Sequence, residues 1–434
     1  MERVAVGLLG LGTVGAGVAR LLEESASRIT RRTGARIDVK WAVVRNPRRS
    51  RACNLSQDRI VTDARRVLDD PEIRIVVEAI GGIEPALSWT LDALAAGKDV
   101  VTANKALLAE HGAEIFAQAR RYGRAVAFEA SVAGGIPIVQ AVGVGLAANE
   151  VQSLAAIVNG TCNFILSSMG VSGVTYEAAL AEAQRLGYAE SDPTLDVDGT
   201  DTAHKLAILV QVAFGASVTT AAISRVGIDQ LQSADIRYAA ELGYTVKLLA
   251  LAKLADSRLE LRVAPTLVKR GTPLAEVKGP YNAIRIVGDA VGDTLFYGRG
   301  AGGMPTASSV VADLIDVVVG RAALTFNALN LWPDHADRPT LASSAEVRSR
   351  YYLRFSIADR PGVIGAVAQV LGHHGISIAS IIQHDPGDDD HPDSPVPLVI
   401  MTHSAIEADV CAAVAEIDAL DAVRAPSVRL GVEE

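Results

Sequence analysis

The chain has 434 residues, of which 49% are hydrophobic and 21% are charged. This length exceeds what one hydrophobic core can organise, so we expect about three domains, and the composition excludes an intrinsically disordered chain. A net charge of −9 argues against a nucleic-acid partner, which requires a concentrated basic surface, and favours a small-molecule substrate.

The cysteines and the apolar runs bear on the compartment. Cys53, Cys162 and Cys411 are far apart and form no metal-binding spacing, which is typical of a reducing environment. The chain enters a strand at once, without the pattern of a secretory signal, and no run of about 18 apolar residues predicts a membrane span. We therefore expect a soluble, cytoplasmic protein that binds neither nucleic acid nor membrane.

From Arg3 to about Ile136, short runs rich in Val and Ile alternate with stretches of helical period. The predicted strands are RVAVGLLG, IDVKWAVV, IRIVVEAI, KDVVTA and RAVAFEAS. Strands alternating with helices are typical of a parallel sheet with helices on both faces.

A glycine pattern, Gly10-Leu11-Gly12-Thr13-Val14-Gly15, lies between the first strand and the first helix. Two glycines at the start permit a tight turn and the close approach of a pyrophosphate, and the third lets the helix pack on the strand. The helix N-terminus then faces the anion. The pattern predicts a dinucleotide site; a tight turn without a ligand is the alternative.

The second strand ends in the sequence WAVVRNPRRS and has no acidic residue there, since Asp38 lies at its other end. Arg45, followed by Arg48 and Arg49, can hold a 2′-phosphate by charge-assisted hydrogen bonds. The sequence therefore favours NADP(H), with NAD(H) as the second choice. A solvated basic turn is the alternative.

The next two strands also end in residues suited to ligand contacts. Gly81 and Gly82 follow one strand, and Thr102, Asn104 and Lys105 follow the other. The carboxyl edge of a parallel sheet is where such folds bind ligands, so we expect these residues to contact the cofactor or the substrate. For Lys105, a solvated loop position is the alternative.

The stretch FEASVAGGIPIV has one acid, Glu129, followed by small residues that leave backbone carbonyls open. Carboxylate and carbonyl oxygens suit a hard cation such as Na⁺. A tight turn between domains is the alternative.

From about Pro137 to Pro305 the pattern changes, and we expect a separate α+β domain. The predicted helices are TYEAALAEAQRLG, DTAHKLAILVQVAFG and ADIRYAAELGYTVKLLALAKLA, and the predicted strands are RLELRVAPTLV and AIRIVGDAV. A glycine-rich stretch, YGRGAGGMPTAS, then precedes an apolar helix, SVVADLIDVVVG. We expect this helix to pack back on the first domain.

Cys162 lies in NGTCNFIL, a polar turn that enters a helix. A thiolate attacks aldehydes, but no histidine is near in sequence to activate this one. The residue is better interpreted as a small buried hydrophobe.

An acidic run precedes a nearly apolar helix. It contains Glu190, Asp192, Asp196, Asp198 and Asp201, and lacks the spacing of an EF-hand calcium loop. Asp201 and Lys205 are four residues apart and share one helical face. On a buried helix whose N-terminal end borders a cleft, a partly desolvated lysine beside a carboxylate can donate a proton to a developing alkoxide.

The C-terminal part begins after a stretch rich in Pro, Asp and Ser, LWPDHADRPTLASSAEVRSR, which we interpret as a linker. The following sequence predicts strand, helix, strand, strand, helix and strand, the order of a ferredoxin-like domain. Between its second and third strands, HDPGDDDHPD is predicted to be a solvated hairpin loop and not a metal site.

Together, the motifs GLGTVG, TANK, EASVAGGIPI, NGTCNFIL, AESDPTLDVDGTDTAHKL and GAGGMPT resemble, in order and over the whole chain, those of homoserine dehydrogenases with a C-terminal ACT domain. The resemblance implies NAD(P)H-dependent reduction of L-aspartate 4-semialdehyde to L-homoserine, on the route to threonine and methionine. It implies a Rossmann-type domain at 1–136 with a helix at about 306–330 packed on it, a catalytic and dimerisation domain at 137–305, a linker at 331–348 and an ACT domain at 349–434.

Site residues follow from the same resemblance. Lys205 would be the proton donor and Asp201 its orienting partner; Lys105 would lie between nicotinamide and substrate; and Glu190 and Asp196 would bind the substrate's amino group. The implied cofactor residues are Gly10, Leu11, Gly12, Thr13, Val14, Gly15, Arg45, Lys105 and Gly302. The implied Na⁺ ligands are Glu129 and the carbonyls of Val132, Gly134 and Ile136.

The ACT-like turn contains Asp359, Pro361 and Gly362, and the hypothesis is feedback inhibition by L-threonine bound there. The resemblance also implies a homodimer or homotetramer. Two alternatives stay open: another NADP-linked dehydrogenase of small aldehydes, which would need an activated cysteine, and a non-catalytic amino-acid sensor with a vestigial nucleotide domain.

Overall fold

The computed structural model describes residues 2–332, 339–384, 395–424 and 426–433. The chain divides into two compact units, each made of several stretches. The first unit takes the residues up to Leu154, Ala203–Ile223 and Tyr281–Pro339; the second takes Ala155–Thr202, Ser224–Pro280 and the chain from Thr340 onward. These bounds interleave along the sequence, so the consecutive domain limits given above stay a prediction.

The strands are β1 (Glu2–Leu9), β2 (Ala35–Val43), β3 (Ile60–Val61), β4 (Ile73–Glu78), β5 (Asp99–Thr102), β6 (Val126–Ala127), β7 (Val151–Ile157), β8 (Ser224–Arg225), β9 (Tyr244–Ala255), β10 (Arg258–Lys269), β11 (Tyr281–Gly288), β12 (Gly292–Arg299), β13 (Thr340–Leu341), β14 (Arg348–Ser349), β15 (Tyr351–Ile357), β16 (Ile378–Ile382), β17 (Val396–Thr402), β18 (Ala405–Ile406) and β19 (Val428–Glu433).

The helices are α1 (Thr13–Glu24), α2 (Ala26–Thr33), α3 (Arg65–Leu68), α4 (Ala86–Ala95), α5 (Lys105–Tyr122), α6 (Ile138–Gln140), α7 (Gly160–Ser172), α8 (Tyr176–Arg185), α9 (Thr194–Val197), α10 (Thr200–Phe214), α11 (Ser233–Glu241), α12 (Gly303–Val318), α13 (Arg321–Leu329), α14 (Val363–His373) and α15 (Glu407–Asp418). None of the helices in the described part of the chain combines the length and apolar character that crossing a membrane requires.

The first unit contains the predicted parallel sheet, which is confirmed. Its strand order is β3-β2-β1-β4-β5-β6, and every neighbouring pair is parallel. The strands are rich in Val, Ile and Leu because both faces of such a sheet are covered. Val6, Val77 and Val101 are fully buried with Val18 of α1 in one core.

Helix α12 packs on α1 within the first unit. A Cβ atom at Gly17 would lie 2.9 Å from the Cβ of Ala307, so the absence of a side chain permits this close approach. The helix begins at Gly303, earlier than the predicted SVVADLIDVVVG. This earlier start is compatible with Pro305, because Pro305 lies in the first turn, where backbone N–H groups have no partner within the helix.

The second unit contains the predicted C-terminal domain. The element order β15, α14, β16, β17, α15 and β19 confirms the ferredoxin-like arrangement. Within the sheet of this unit the order is β9-β10-β19-β15-β17-β16. Its core is formed by apolar side chains of both helices and of the strands, including Phe355, Val367, Leu398 and Ile417.

The prediction of one long helix over ADIRYAAELGYTVKLLALAKLA is wrong in its second half. Helix α11 ends at Glu241, Gly243 adopts a φ of +85°, and β9 then pairs antiparallel with β10 along its whole length. The β9 residues from Val246 to Ala252 are buried. A strand buried on both faces has no polar alternation, so its apolar run does not differ from that of a buried helix.

A buried ion pair connects α11 with β15. Arg354 donates from Nε to Oδ1 of Asp235 (2.5 Å) and from Nη2 to Oδ2 (3.1 Å), and the Tyr352 hydroxyl donates to Oδ1 (3.1 Å). Asp235 is fully buried and Arg354 is 7% exposed. The pair therefore joins the ferredoxin-like part of the second unit to the preceding helical part.

The segment predicted as a linker is ordered where it is described. Leu331 and Trp332 are buried, and Trp332 contacts Phe116 with ring centroids 4.4 Å apart. Further along, β13 pairs parallel with β10. Residues 333–338 lie outside the described residues, as does the acidic loop predicted at 384–393 except for His384.

Candidate active site

The glycine-rich loop between β1 and α1 has the geometry of a ligand-binding turn. Gly10 has a φ of +105°, and a Cβ there would lie 2.7 Å from the Ala79 carbonyl oxygen; a Cβ at Gly15 would lie 2.2 Å from the Gly10 oxygen. Gly12 is exposed and faces no atom within 4 Å. Gly10 and Gly15, where a Cβ has no space, fix the turn. Gly12, which faces open space, leaves room for a phosphate at the N-terminus of α1.

This loop borders a cavity of about 1100 Å³. Of the predicted cofactor residues, Gly10, Leu11, Gly12, Thr13 and Arg45 line it. Gly302 directly precedes Gly303, which also lines the cavity. A volume of this size is sufficient for a dinucleotide, so the loop and the cavity together fit an NAD(P) molecule.

Arginines form one wall of the cavity. Arg45 and Arg49 line it and are exposed, whereas Asp38 pairs with Arg3 and Arg36 at the opposite end of β2. Cationic side chains at the end of β2, with no carboxylate there, suit a 2′-phosphate.

A fourth arginine, Arg51, was not predicted as a site residue. Its guanidinium donates to the carbonyl oxygens of Leu11 (3.0 Å), Arg49 (2.6 Å) and Asn46 (2.7 Å). Arg51 therefore fastens the segment after β2 to the glycine-rich loop. Its sequence gives no signal of this role, because the acceptors are backbone carbonyls.

A buried hydrogen-bond network holds the start of α5, where Lys105 is the first residue. Glu78, at the end of β4, accepts from the Thr102 hydroxyl (2.7 Å) and from the Ile80 backbone N–H (2.9 Å). Asn104 caps α5 and donates to the Gly82 carbonyl (2.7 Å). The network thus joins the ends of β4 and β5.

Glu78 was not predicted as a site residue. It is fully buried, and burial raises the pKa of its carboxyl group although its hydrogen bonds act in the opposite direction. A lone acid at the carboxyl end of a predicted parallel strand, in VVEAIGG, was the signal that could have identified it.

In the second unit, the N-terminus of α7 gathers two of the predicted carboxylates. Asn159 Nδ2 donates to Asp196 Oδ1 (2.8 Å) and to Asp201 Oδ2 (2.9 Å). The Thr161 hydroxyl lies 3.3 Å from Asp196 Oδ2. The neighbouring Asp198 accepts hydrogen bonds from Thr200 at the start of α10, which is a scaffold role.

Lys205 lies on α10 one turn after Asp201. The two side chains are 8% and 7% exposed, and the residues from Leu206 to Val210 are buried. A helix with this environment has no solvated face to accommodate charges, so the positions of Asp201 and Lys205 differ from those of an ordinary surface ion pair.

Glu190 is placed differently from these residues. It is exposed in the stretch between α8 and α9, and its backbone carbonyl accepts from the Gln184 side chain (3.1 Å). Its carboxylate is therefore accessible to a ligand from solvent.

Cys162 does not have the surroundings of a nucleophile. It is buried, its backbone N–H donates to the Asn159 side chain, and its thiol donates to the Asp196 carbonyl oxygen (3.2 Å). A thiol at the base of the α7 cap is a packing group.

The loop predicted to bind Na⁺ surrounds a buried carboxylate. Glu129 is 6% exposed and accepts from the backbone N–H groups of Val139 (2.8 Å) and Gln140 (2.9 Å). Burial raises the pKa of Glu129 to about 7, against the effect of these hydrogen bonds. Asp313 is buried beside it and accepts from the Glu129 N–H (2.9 Å).

The backbone carbonyls of this loop are partly used. Ser309 donates to the Gly134 oxygen (2.6 Å), and the Ile138 N–H donates to the Ile136 oxygen (2.8 Å). Each carbonyl oxygen retains a second lone pair. The described residues contain no cluster of three or more His, Cys, Asp or Glu side chains suited to a metal, so a cation here would depend on these carbonyls.

The turn between β15 and α14 contains Asp359, Pro361 and Gly362, all exposed. Gly362 caps α14 with a φ of +90°, a conformation that favours glycine. Gln383, just beyond β16, donates to Asp359 Oδ1 (3.2 Å). The turn and the end of β16 therefore form one polar surface.

Family models match three parts of the chain. Residues 137–315 match "Homoserine dehydrogenase", residues 10–129 match "Homoserine dehydrogenase, NAD binding domain", and residues 351–422 match "ACT domain".

Individual proteins match the chain over its whole length. A homoserine dehydrogenase of Pseudomonas aeruginosa is 47% identical over 440 residues, with all of both chains covered. The crystal structure of one from Thiobacillus denitrificans is 46% identical, with a TM-score of 0.91, and covers 100% of this chain and 99% of its own. A hyperthermophilic archaeal homoserine dehydrogenase in complex with NADPH is 26% identical, with a TM-score of 0.64, and the match covers 74% of this chain and 98% of that one.

Proposed function

Because the chain belongs to the homoserine dehydrogenase family of NAD(P)-dependent oxidoreductases, we propose that Lys205 protonates the aldehyde oxygen of L-aspartate 4-semialdehyde and that Asp201 orients Lys205. When bound, NADPH supplies the hydride that reduces the aldehyde carbon. The negative charge that then develops on oxygen needs a nearby cation that can also release a proton. A lysine ammonium meets both requirements.

The observation that carries this proposal is the burial of Asp201 and Lys205 at the start of α10. Low solvent access strengthens the interaction of the ammonium with a developing alkoxide, because the local dielectric is lower than that of water. The carboxylate keeps the lysine charged before transfer and sets its direction.

Replacing Lys205 tests the assignment. Lys205→Ala should lower kcat on the order of 100- to 10,000-fold, the usual range for a general acid, while NADPH binding measured by fluorescence stays near wild type. Lys253→Ala, which removes an exposed lysine of β9, is the matched control. Near-normal turnover of Lys205→Ala would contradict the role.

We further propose that Glu190 and Asp196 bind the substrate's ammonium group and that Lys105 lies between nicotinamide and substrate. The exposed Glu190 carboxylate and the half-buried Lys105 are accessible to a ligand. Glu190→Gln should raise the KM for the semialdehyde with a smaller change in kcat, because it removes binding shared by ground and transition states. An unchanged KM would exclude Glu190.

The preference for NADPH is proposed from the arginine wall of the cavity. Loss of one charge-assisted hydrogen bond is worth about 1.5–3 kcal/mol, which corresponds to roughly 10- to 100-fold in affinity. Arg45→Ala should therefore reduce the affinity ratio of NADPH to NADH by this factor. Arg31→Ala is the control, since Arg31 is exposed on α2 and is not among the residues that line the cavity. An unchanged ratio in Arg45→Ala would refute the preference.

We also propose that a Na⁺ ion binds in the Glu129 loop and compensates the negative charge of the buried carboxylates. A cavity of about 60 Å³ is lined by the buried Glu129 and Asp313 and by the half-buried Asp316, which pairs with Arg321. Buried carboxylates are costly unless a cation or donors compensate them. The ion would supply charge compensation, and the loop would supply oxygen ligands.

Thermal unfolding in NaCl and in choline chloride of equal ionic strength tests the ion. Bound Na⁺ should raise the unfolding temperature of the wild type, because a ligand of the folded state stabilises it. Glu129→Gln should lose the difference, and Glu114→Gln, an exposed glutamate of α5, should keep it. Equal unfolding temperatures in both salts would argue against a Na⁺ site.

L-Threonine is the proposed effector, bound at the turn with Asp359, Pro361 and Gly362. Support comes from the ACT match at 351–422 and from the polar surface that Asp359 shares with Gln383. Threonine should inhibit the wild type and inhibit Asp359→Ala less. No inhibition at any substrate concentration would reject threonine as the effector.

We also propose that the protein is a homodimer or homotetramer. Light scattering distinguishes these two states from a monomer.

A further inference from the structure

The side chain of Asn159 makes three hydrogen bonds that no other residue type of its size can make together. Its Nδ2 donates to Asp196 Oδ1 (2.8 Å) and Asp201 Oδ2 (2.9 Å), and its Oδ1 accepts from the Cys162 N–H (2.8 Å). The residue is 4% exposed. One amide group thus bridges two carboxylates and caps a helix.

The cap alone does not explain an asparagine here. Asp, Ser and Thr cap helix N-termini about as well as Asn, because each supplies an acceptor oxygen. Only an amide adds two N–H donors to that acceptor, whereas an aspartate would bring a third negative charge against Asp196 and Asp201. The residue type is therefore matched to the two carboxylates and not to the helix.

The backbone around Asn159 fixes the position of the amide. A Cβ at Gly160 would lie 2.9 Å from the Pro280 carbonyl oxygen, so α7 starts in close contact with that segment. Thr161 donates to the Tyr188 carbonyl (2.7 Å). The contacts of Gly160 and Thr161 thus fix the backbone next to Asn159, so the amide cannot turn away from the carboxylates unless the start of α7 moves.

We propose that Asn159 is a positioning residue that sets the orientation of Asp201 relative to α10 and of Asp196 relative to the substrate. This inference rests on the proposed roles of Asp196, Asp201 and Lys205. Because both bonds come from one nitrogen, the two carboxylates are held at a fixed separation. The group that binds the substrate's amine and the group that orients the proton donor are thereby linked.

Asn159→Asp is the decisive variant. It keeps the size of the side chain and the cap acceptor but removes both donors. We expect kcat to fall on the order of 100-fold and the KM for the semialdehyde to rise, since two hydrogen bonds to charged groups are lost. The NADPH dissociation constant should stay near wild type, whereas the unfolding temperature should fall, because a third carboxylate is placed beside Asp196 and Asp201. Asn159→Ser, which also keeps an acceptor, should show the same losses.

Thr175→Asp is the matched control, because Thr175 caps α8 through its side chain and is exposed. It should leave kcat and KM unchanged. If Asn159→Asp has the kcat and KM of the wild type, the donors are not needed and the inference is overturned. If the losses of both Asn159→Asp and Asn159→Ser come with a weaker NADPH affinity in equal measure, the residue is merely structural and the inference is also overturned.

Lys205→Ala, measured in parallel, separates this inference from the proposed function. An active Lys205→Ala removes the proton-donor role, while a raised KM in Asn159→Asp still supports positioning of Asp196. An inactive Lys205→Ala together with a silent Asn159→Asp retains the proton donor and rejects the positioning role.

Discussion

The buried ion pair between Arg354 and Asp235 gives a prediction whose size follows from the structure. Arg354→Met leaves Asp235 buried without its cation, although the Tyr352 hydroxyl and the Gln232 N–H still donate to it. Removing one partner of a buried pair destabilises a protein by about 3–5 kcal/mol. The loss should be confined at first to the second unit, which contains both residues.

The tryptophans make this test specific. Trp41, Trp89 and Trp332 all lie in the first unit. In urea unfolding, fluorescence therefore follows the first unit and far-UV circular dichroism follows both. With a denaturant dependence of about 3 kcal/mol per M, the transition of the second unit should move to lower urea by about 1–1.7 M in Arg354→Met. The fluorescence midpoint should change much less.

The control is the exposed pair of Arg258 and Glu346 in the same unit, whose side chains are 49% and 54% exposed. Arg258→Met should cost less than about 1 kcal/mol, because exposed ion pairs contribute little. The double variant Asp235→Asn with Arg354→Met should be less destabilised than the sum of the single variants. An unfolding profile of Arg354→Met identical to the wild type would refute the reasoning.

Three further predictions concern single residues. Burial lowers the pKa of Lys247 to about 8, so the unfolded chain binds more protons between about pH 8 and 10.5 and stability rises with pH there. The free energy of unfolding of the wild type should rise by about 3 kcal/mol relative to that of Lys247→Met between about pH 8 and 10.5, as measured by urea unfolding at each pH. If the free energies of unfolding of the two proteins change with pH in parallel, the lowered pKa is contradicted. Glu78→Gln should lower kcat about 10-fold or more, because glutamine has one acceptor oxygen where Glu78 uses two, so either the Thr102 hydroxyl or the Ile80 N–H loses its acceptor. Stopped-flow turnover measures this, and wild-type kcat would exclude a role for the network. Gly15→Ala should abolish NADPH binding in a fluorescence titration, since its Cβ would overlap the Gly10 oxygen at 2.2 Å, and retained affinity would show that the turn adapts.

The sequence predicted the parallel sheet and the C-terminal domain because their signals are local. Short apolar runs bounded by turns specify β1, β4 and β5, and the glycine spacing specifies the loop before α1. The prediction failed for β9, where the signal is not local. Whether the run KLLALAKL is a strand or a helix depends on its pairing with β10, which the sequence of the run does not contain.

The sequence predicted which charged residues belong to the candidate site, but it did not predict their hydrogen-bond partners. Asp196, Asp201 and Lys205 stood out as charges beside an apolar helix, but Asn159 lies 37 and 42 residues before the two carboxylates that it bridges. Glu78 and Thr102 are 24 residues apart in the same way. Helical and strand periods relate residues only within one element, so partners on different elements need the fold.

The polar network at α7 and α10 also explains why the predicted carboxylates lie at helix starts. Asp201 is in the first turn of α10, and Asp196 contacts the first turn of α7 through Asn159 and Thr161. Helix N-termini carry unpaired N–H groups and a partial positive charge, which stabilise nearby carboxylates without adding a fixed cation. In the proposed mechanism, a cationic side chain in that position would compete with Lys205 and with the substrate's ammonium group for the same carboxylates. The Asn159 amide and the Thr161 hydroxyl thus contact these acids without adding a charge beside Lys205, the proposed proton donor.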